Sequence, residues 1–298
     1  MKALKQVGMT TKTIVKVALL SALLVGHAHA TQCPLVPSSM AEPDVIPAEK
    51  LAKKYLGEIE ARLAKLHKTN LASDGGDLLT LRQIANLQTL NAMNDDMVLT
   101  WVNRYPHFFF GQLNAGIYFS NKATDARGPY VISKTSRKAL DEMRQLNEVA
   151  IGYLLKAMEL DASSALPQSI LLVIAAQQGE AVGKTAEQWL QVAIQTDPKN
   201  LAARIQATFY LSPRWGGSFE LLDHMAQEAE KSLSAQEAYY LRYNIVLQKA
   251  YDEEDVTQNI SKAHWLYKQA KSMCENSPRA QEGIVRTYQK SSNGELRK

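Results

Sequence analysis

Arg214 and Trp215 stand side by side in the run Tyr210-Leu-Ser-Pro-Arg-Trp-Gly-Gly-Ser218. A planar guanidinium fork beside an aromatic face could hold a carboxylate, a sugar or a chain terminus. The same run also reads as structure. Pro213 closes the preceding helix, Gly216 and Gly217 permit positive φ for a tight reversal, and Ser218 N-caps the helix that begins at Phe219. Trp215 would then pack across the corner, and Arg214 would satisfy carbonyls left open at a helix C-terminus. Arg214 and Trp215 are therefore the candidate binding residues, and Pro213, Gly216, Gly217 and Ser218 a structural motif.

Other chemistry-bearing patterns lose force at close range. Gly179-Glu-Ala-Val-Gly183-Lys184-Thr185 has three residues between its glycines where a phosphate-binding loop needs four, and Gln178 occupies the missing glycine's place. It reads as an inter-helix turn. Asp74-Gly-Gly-Asp77, Asn94-Asp95-Asp96 and Asp252-Glu253-Glu254-Asp255 lack the alternating ligand spacing of a calcium loop and read as loops and helix N-termini. His67, His107, His224 and His264 are scattered, so no metal site is expected. No serine or cysteine has the context of a nucleophile, and no catalytic residue or cofactor is expected. Tyr105, Phe108, Phe109, Phe110, Tyr118 and Phe119 form the densest aromatic cluster and read as core.

The elements that must position these residues are helices. Leu51, Tyr55, Leu56, Ile59, Leu63 and Leu66 follow the three-and-four spacing of one helical face over 48–68. Similar patterns cover 77–92, 94–104, 107–122 and 133–160, and sustained period-two alternation is absent. Ala157, Ala193, Ala229 and Ala270 recur every 36 to 41 residues near helix ends. Three of the four have the tetratricopeptide spacing of a small residue, a large apolar one four later and Ala three later: Ala150-Leu154-Ala157, Ala186-Leu190-Ala193 and Ala263-Tyr267-Ala270. Leu222-Ala226-Ala229 is the weakest copy. Only Pro198 supplies the repeat-ending proline in register. The expectation is an all-α fold, a degenerate tetratricopeptide-like α-solenoid of antiparallel helix pairs, in part similar to Sel1-type repeats.

The run Tyr210–Ser218 resembles the signature of a bacterial helical family, domain of unknown function 4034. Trp101-Val-Asn-Arg-Tyr-Pro106, the Ala-Arg127-Gly128 turn and the Ala157-x-x-Leu-Asp161 repeat end add to the similarity, which is strongest over 95–235. What the resemblance implies is a repeat-like helical domain with no assigned biochemistry.

The first thirty residues read as a secretory signal. Lys2, Lys5, Lys12 and Lys16 precede the apolar run Val17–Val25, and Ala28-His-Ala30 supplies small residues for cleavage. That run is far short of the roughly 20 residues needed to span a bilayer. Residues 31–47, punctuated by Pro34, Pro37, Pro43 and Pro47, form a tether, and 48–298 a helical repeat domain. The signal carries four lysines and no acid, so its removal leaves 30 basic against 30 acidic residues. Without an excess of cations, nucleic acid is not an expected partner.

These features lead to an exported, non-enzymatic monomer in the periplasm or secreted, with no membrane span, that binds a protein or peptide. The alternatives are an envelope glycan-processing enzyme, or a small-ligand binder using the Arg214 corner. Cys33 and Cys274, the only cysteines, could pair in an oxidising compartment, since the tether can reach across the solenoid. Intact mass measured on exported protein should give a chain beginning near Thr31, two hydrogens lighter before reduction than after. Retention of Met1 would sink the export reading, and two alkylatable thiols would sink the disulfide.

Overall fold

A computed structural model describes residues 56–71, 74–90, 93–128 and 132–295. The signal, its cleavage site, the tether, Cys33 and the first eight residues of the 48–68 pattern lie outside these. The described residues form twelve α-helices and no strand. They are α1 (Leu56–Leu71), α2 (Gly76–Leu90), α3 (Asp95–Arg104), α4 (Phe109–Arg127), α5 (Arg137–Leu160), α6 (Leu166–Gln178), α7 (Ala186–Thr196), α8 (Leu201–Tyr210), α9 (Phe219–Ala229), α10 (Ala235–Asp255), α11 (Ile260–Met273) and α12 (Pro278–Glu295).

The pairs α4/α5, α6/α7, α8/α9 and α10/α11 stack in order. Each second helix packs on its own partner and on the first helix of the next pair, and the first helices touch along the series through α12. This is an all-α helical-repeat solenoid. The recurring alanines explain its regularity. Ala157, Ala193, Ala229 and Ala270 are all fully buried where second helices approach the next pair. Their carbonyls accept the N–H four residues on, from Asp161 (3.0 Å), Asp197 (2.9 Å), Leu233 (2.8 Å) and Cys274 (3.0 Å). Asp161, Asp197 and Cys274 leave their helices with nearly the same backbone, φ/ψ −144/93, −139/102 and −144/92. The weakest copy departs: Glu230 remains right-handed helical after Ala229, and a turn intervenes before Leu233.

An open solenoid would leave the face of its first helices to solvent. Here the chain's own hairpin α1/α2 lies across much of it. Gln88 of α2 donates to the Asn114 side chain and carbonyl of α4 (3.0 Å each), and Arg82 donates to the Tyr240 hydroxyl of α10 (2.8 Å). The Gly75 N–H donates to the Glu237 carboxylate of α10 (2.7 Å), while Asp77 pairs with Asn200, the N-cap of α8. Helix α6, apolar from Ile170 to Ala176, is buried from Leu166 to Ala175 among α4, α5, α7 and α8. A helix apolar on every side has to be covered on every side.

The acidic run 252–255 is not a loop or a helix N-terminus. It forms the last turn of α10, where carboxylates oppose the helix dipole. Specific cations offset that cost. Glu254, with its side chain fully buried, accepts two bonds from Arg286 (2.7 and 2.8 Å), one from Lys290 (2.7 Å) and one from Tyr267 (2.8 Å). Burial pushes its pKa up, but these partners outweigh burial and hold it at about 2. Glu253 pairs with Lys262. One carboxylate thus ties α10, α11 and α12 together.

The aromatic cluster splits between core and rim. Phe110 and Phe119 are buried, whereas Tyr105, Phe108, Phe109 and Tyr118 are half-buried, with Tyr105 stacked on Phe108 at 4.6 Å. The 179–185 segment is the expected inter-helix turn. Gly179 ends α6 at φ 97°, and Thr185 opens α7 through a reciprocal capping box with Gln188.

Candidate functional site

After α8 ends at Tyr210, Pro213–Trp215 make one 3₁₀ turn, and the Trp215 N–H donates to the Ser212 carbonyl (2.9 Å). Gly216 follows at φ 88°, as expected of a left-handed position. Gly217 corrects the sequence reading, because its φ is not positive. It is glycine for close approach: a β-carbon there would run into the Leu211 carbonyl. Its N–H donates to the Ser212 carbonyl (3.2 Å). Ser218 caps α9 as expected, accepting from the Leu221 N–H (3.1 Å).

The structure parts the two candidate binding residues. Trp215 is half-buried against Phe209 and Tyr210, with the Arg127 guanidinium 4.9 Å from its ring. The Arg127-Gly128 turn and the 213–218 corner, eighty-odd residues apart, therefore meet in a cation–π contact between the end of α4 and the third pair. Arg214 instead is exposed and lines a groove of about 450 Å³ with Phe209, Asn244, Gln248, Tyr251 and Arg279. Its side chain caps no helix carbonyl among the described residues. It lies 5.9 Å from the Phe209 ring.

Behind the corner stands a residue that the sequence reading passed over. Asp252 of α10 is 1% exposed and accepts from Gln248 (3.0 Å). Burial raises its pKa. Ser212, Gln248, and the charge and backbone N–H of Arg214 offset burial only in part. Sequence offered one signal: Asp252 is four residues after Gln248 on one helix face. Nothing in the sequence placed that face against residues 212–214.

A second cavity, about 620 Å³, opens where the hairpin meets the repeat ends, lined by Glu60, His67, Asp77, Phe109, Phe110, Asp161 and Asp197 among others. Glu60 accepts the N–H groups of Phe110 (2.8 Å) and Gly111 (2.9 Å) at the start of α4, whose own N-cap Phe108 offers no side-chain acceptor. Asp77 bonds Asn200, which itself accepts the Ala203 N–H of α8 (2.6 Å). Burial raises Glu60 to about 7 against those two N–H bonds. It raises Asp77 to about 7 as well, with Asp197 and Asp161 adding to the shift and Asn200 opposing it. His67, bonded to Thr80 (3.1 Å), is lowered by burial. Glu60 escaped the sequence reading because its partner N–H groups lie fifty residues away.

Cys274 is buried at the end of α11 and is not a free thiol, and Cys33 lies outside the described residues. Among the described residues no group of three or more His, Cys, Asp or Glu side chains is placed to hold a metal ion. None of their helices is long and apolar enough to cross a membrane.

The fold and groove define an all-α helical-repeat protein. Residues 162–248 match the model of a family described as domain of unknown function (DUF4034). The match supports the resemblance, with different limits from 95–235: it starts just before α6 and runs through most of α10, containing the 213–218 corner but neither Trp101 nor Arg127. No curated protein and no solved structure matches the chain.

Gly217→Val should cost about 1–3 kcal/mol or more through overpacking against backbone, and Arg214→Ala within about 0.5 kcal/mol. Chemical denaturation compares the two, and a wild-type midpoint for Gly217→Val would overturn the close-approach reading. A second outcome concerns pH. Glu60 and Asp77 bind their protons more tightly folded than unfolded, so their stabilisation is complete below about pH 4 and is lost as pH rises through about 7. His67 works in the opposite sense, adding stability as pH rises through its unfolded value near 6.5. The two carboxyls should prevail, so the melting temperature falls from pH 5 to pH 8, and Glu60→Gln or Asp77→Asn should each flatten the fall. An unaltered slope in both variants would rule this out.

Proposed function

We propose that this chain is an exported, non-enzymatic interaction module of the cell envelope that seats a peptide segment of another protein. The observation that carries the reading is the groove beside Arg214. It lies between the first helices α8 and α10, and none of its lining residues belongs to the α1/α2 hairpin that covers other parts of that face. Its lining mixes apolar side chains (Ile205, Phe209, Leu247) with amides and guanidinium groups. That composition suits a peptide, which offers both apolar side chains and backbone hydrogen-bonding groups. Export rests on the signal-like first thirty residues.

One observation favours an enzyme: two carboxyl groups held near pH 7 in one cavity, the condition of a general acid in glycan cleavage. Against it, both Glu60 oxygens are already engaged by backbone N–H groups and Asp77 is bonded to a helix cap, so each has a structural task.

Two measurements separate these readings. A photo-crosslinking residue at Gln206, in the groove, should form protein adducts in cells, and one at exposed Glu187 on α7 should not. Equal labelling from both positions, or none, counts against the interaction reading. Incubated with peptidoglycan, neither the wild type nor Glu60→Gln should release muropeptides, and release by the wild type alone would establish the enzyme.

A further inference from the structure

We propose that the groove beside the 213–218 corner captures the C-terminal carboxylate of a peptide chain, with Arg214 and Arg279 as the receiving cations. This rests on the interaction reading above and names its ligand.

The two arginines reach one groove from separate elements, Arg214 from the 3₁₀ turn and Arg279 from the first turn of α12. Neither makes an ion pair among the described residues, and Asp255, which also lines the groove, pairs with neither. Cations on neighbouring elements are neutralised: Arg286 and Lys290 by Glu254, Lys249 by Asp223, Lys262 by Glu253. Asp252, buried behind Ser212 and Arg214, is bonded to Gln248, and Arg214 lines the groove on the other side. Two arginines outside any ion pair, lining one cleft of about 450 Å³, supply what a planar anion needs.

The amides narrow the anion's identity. Asn244 donates its side-chain N–H to the Tyr240 carbonyl (2.8 Å), and Gln248 donates to Asp252 (3.0 Å). Each amide has one of its two N–H groups engaged inside the protein, which orients it and leaves its oxygen and a second N–H to offer a ligand. An inorganic anion such as phosphate has no apolar surface to set against the Phe209 and Leu247 wall and no row of N–H groups for those oxygens. A chain terminus meets both requirements, with its carboxylate on the arginines and the N–H groups of its last residues facing Asn244 and Gln248. Tyr251, Phe209 and Leu247 supply apolar wall for its side chains.

The test uses purified full-length protein on arrays of randomised tetrapeptides, presented either with free C-terminal carboxylates or as C-terminal amides. The strongest free-acid sequences are then measured by fluorescence anisotropy. Amidation should weaken binding about tenfold or more, the loss of a charge-assisted hydrogen-bonding group. Arg214→Gln and Arg279→Gln should each do the same without lowering the melting temperature, both side chains being exposed. Lysine at either position should restore part of the affinity, since it keeps the charge and loses the fork. Peptide binding indifferent to amidation and to both substitutions would overturn the carboxylate assignment while leaving the interaction reading in place. Amidated peptides that bind only when they carry Asp or Glu would move recognition to side chains and overturn the chain-terminus assignment. Absence of binding by every peptide would overturn both readings.

Discussion

The architecture depends on acceptors placed at helix N-termini by residues distant in sequence. The first turn of a helix leaves its N–H groups without intrahelical partners, and burying such an end requires an acceptor from elsewhere. Helix α4 begins at Phe109 with no side-chain cap of its own, and Glu60 of α1 supplies both acceptors. Helix α8 is capped by Asn200, whose amide is held in turn by Asp77 of α2. Helix α10 carries its capping box through Glu237, and the same carboxylate accepts the Gly75 N–H. These three contacts set the α1/α2 hairpin across the first helices of the solenoid.

The cost of this arrangement is visible in the protonation of its acids. Glu60 and Asp77 are displaced upward by burial even though hydrogen bonds favour their charged forms, so desolvation outweighs the partners. Glu254 shows the reverse balance. It is buried too, but it faces two cations and a phenol, and its pKa falls to about 2. The difference is the charge of the partner. Backbone amides and an asparagine offer dipoles, whereas Arg286 and Lys290 offer full charges. Burial thus favours the neutral forms of Glu60 and Asp77, whereas charge pairing favours the ionised form of Glu254.

The corner at 213–218 has its backbone, Trp215 and Ser218 in structural contacts. Gly217 lets the chain pass against the Leu211 carbonyl, Ser218 starts α9, and Trp215 fastens the corner to Arg127 at the end of α4. With backbone and indole so occupied, the Arg214 guanidinium is left to project into the groove between α8 and α10. Trp215 thus takes the structural reading of this motif, and Arg214 is the side chain to which the proposed binding role falls.

Much of the fold was legible in sequence because it is local. Helical periodicity, the cap at Ser218, and the alanine register all involve residues within a few turns of one another, where spacing alone decides contact. By the same logic the order of helix pairs followed from the repeat. The hairpin over the first helices was not legible, though the all-round apolar run Ile170–Ala176 was a sign that some cover existed. The acidic run 252–255 was misplaced because its compensating cations, Arg286 and Lys290, belong to the last helix. Gly217 was identified as necessary for the wrong reason, since positive φ and close approach demand the same residue. Sequence by itself determined the helices, their register and the corner. Only tertiary structure decided which polar groups meet, because such partners are set by distance in space, and Glu254–Arg286, Asp77–Asn200 and Gly75–Glu237 lie 32, 123 and 162 residues apart along the chain.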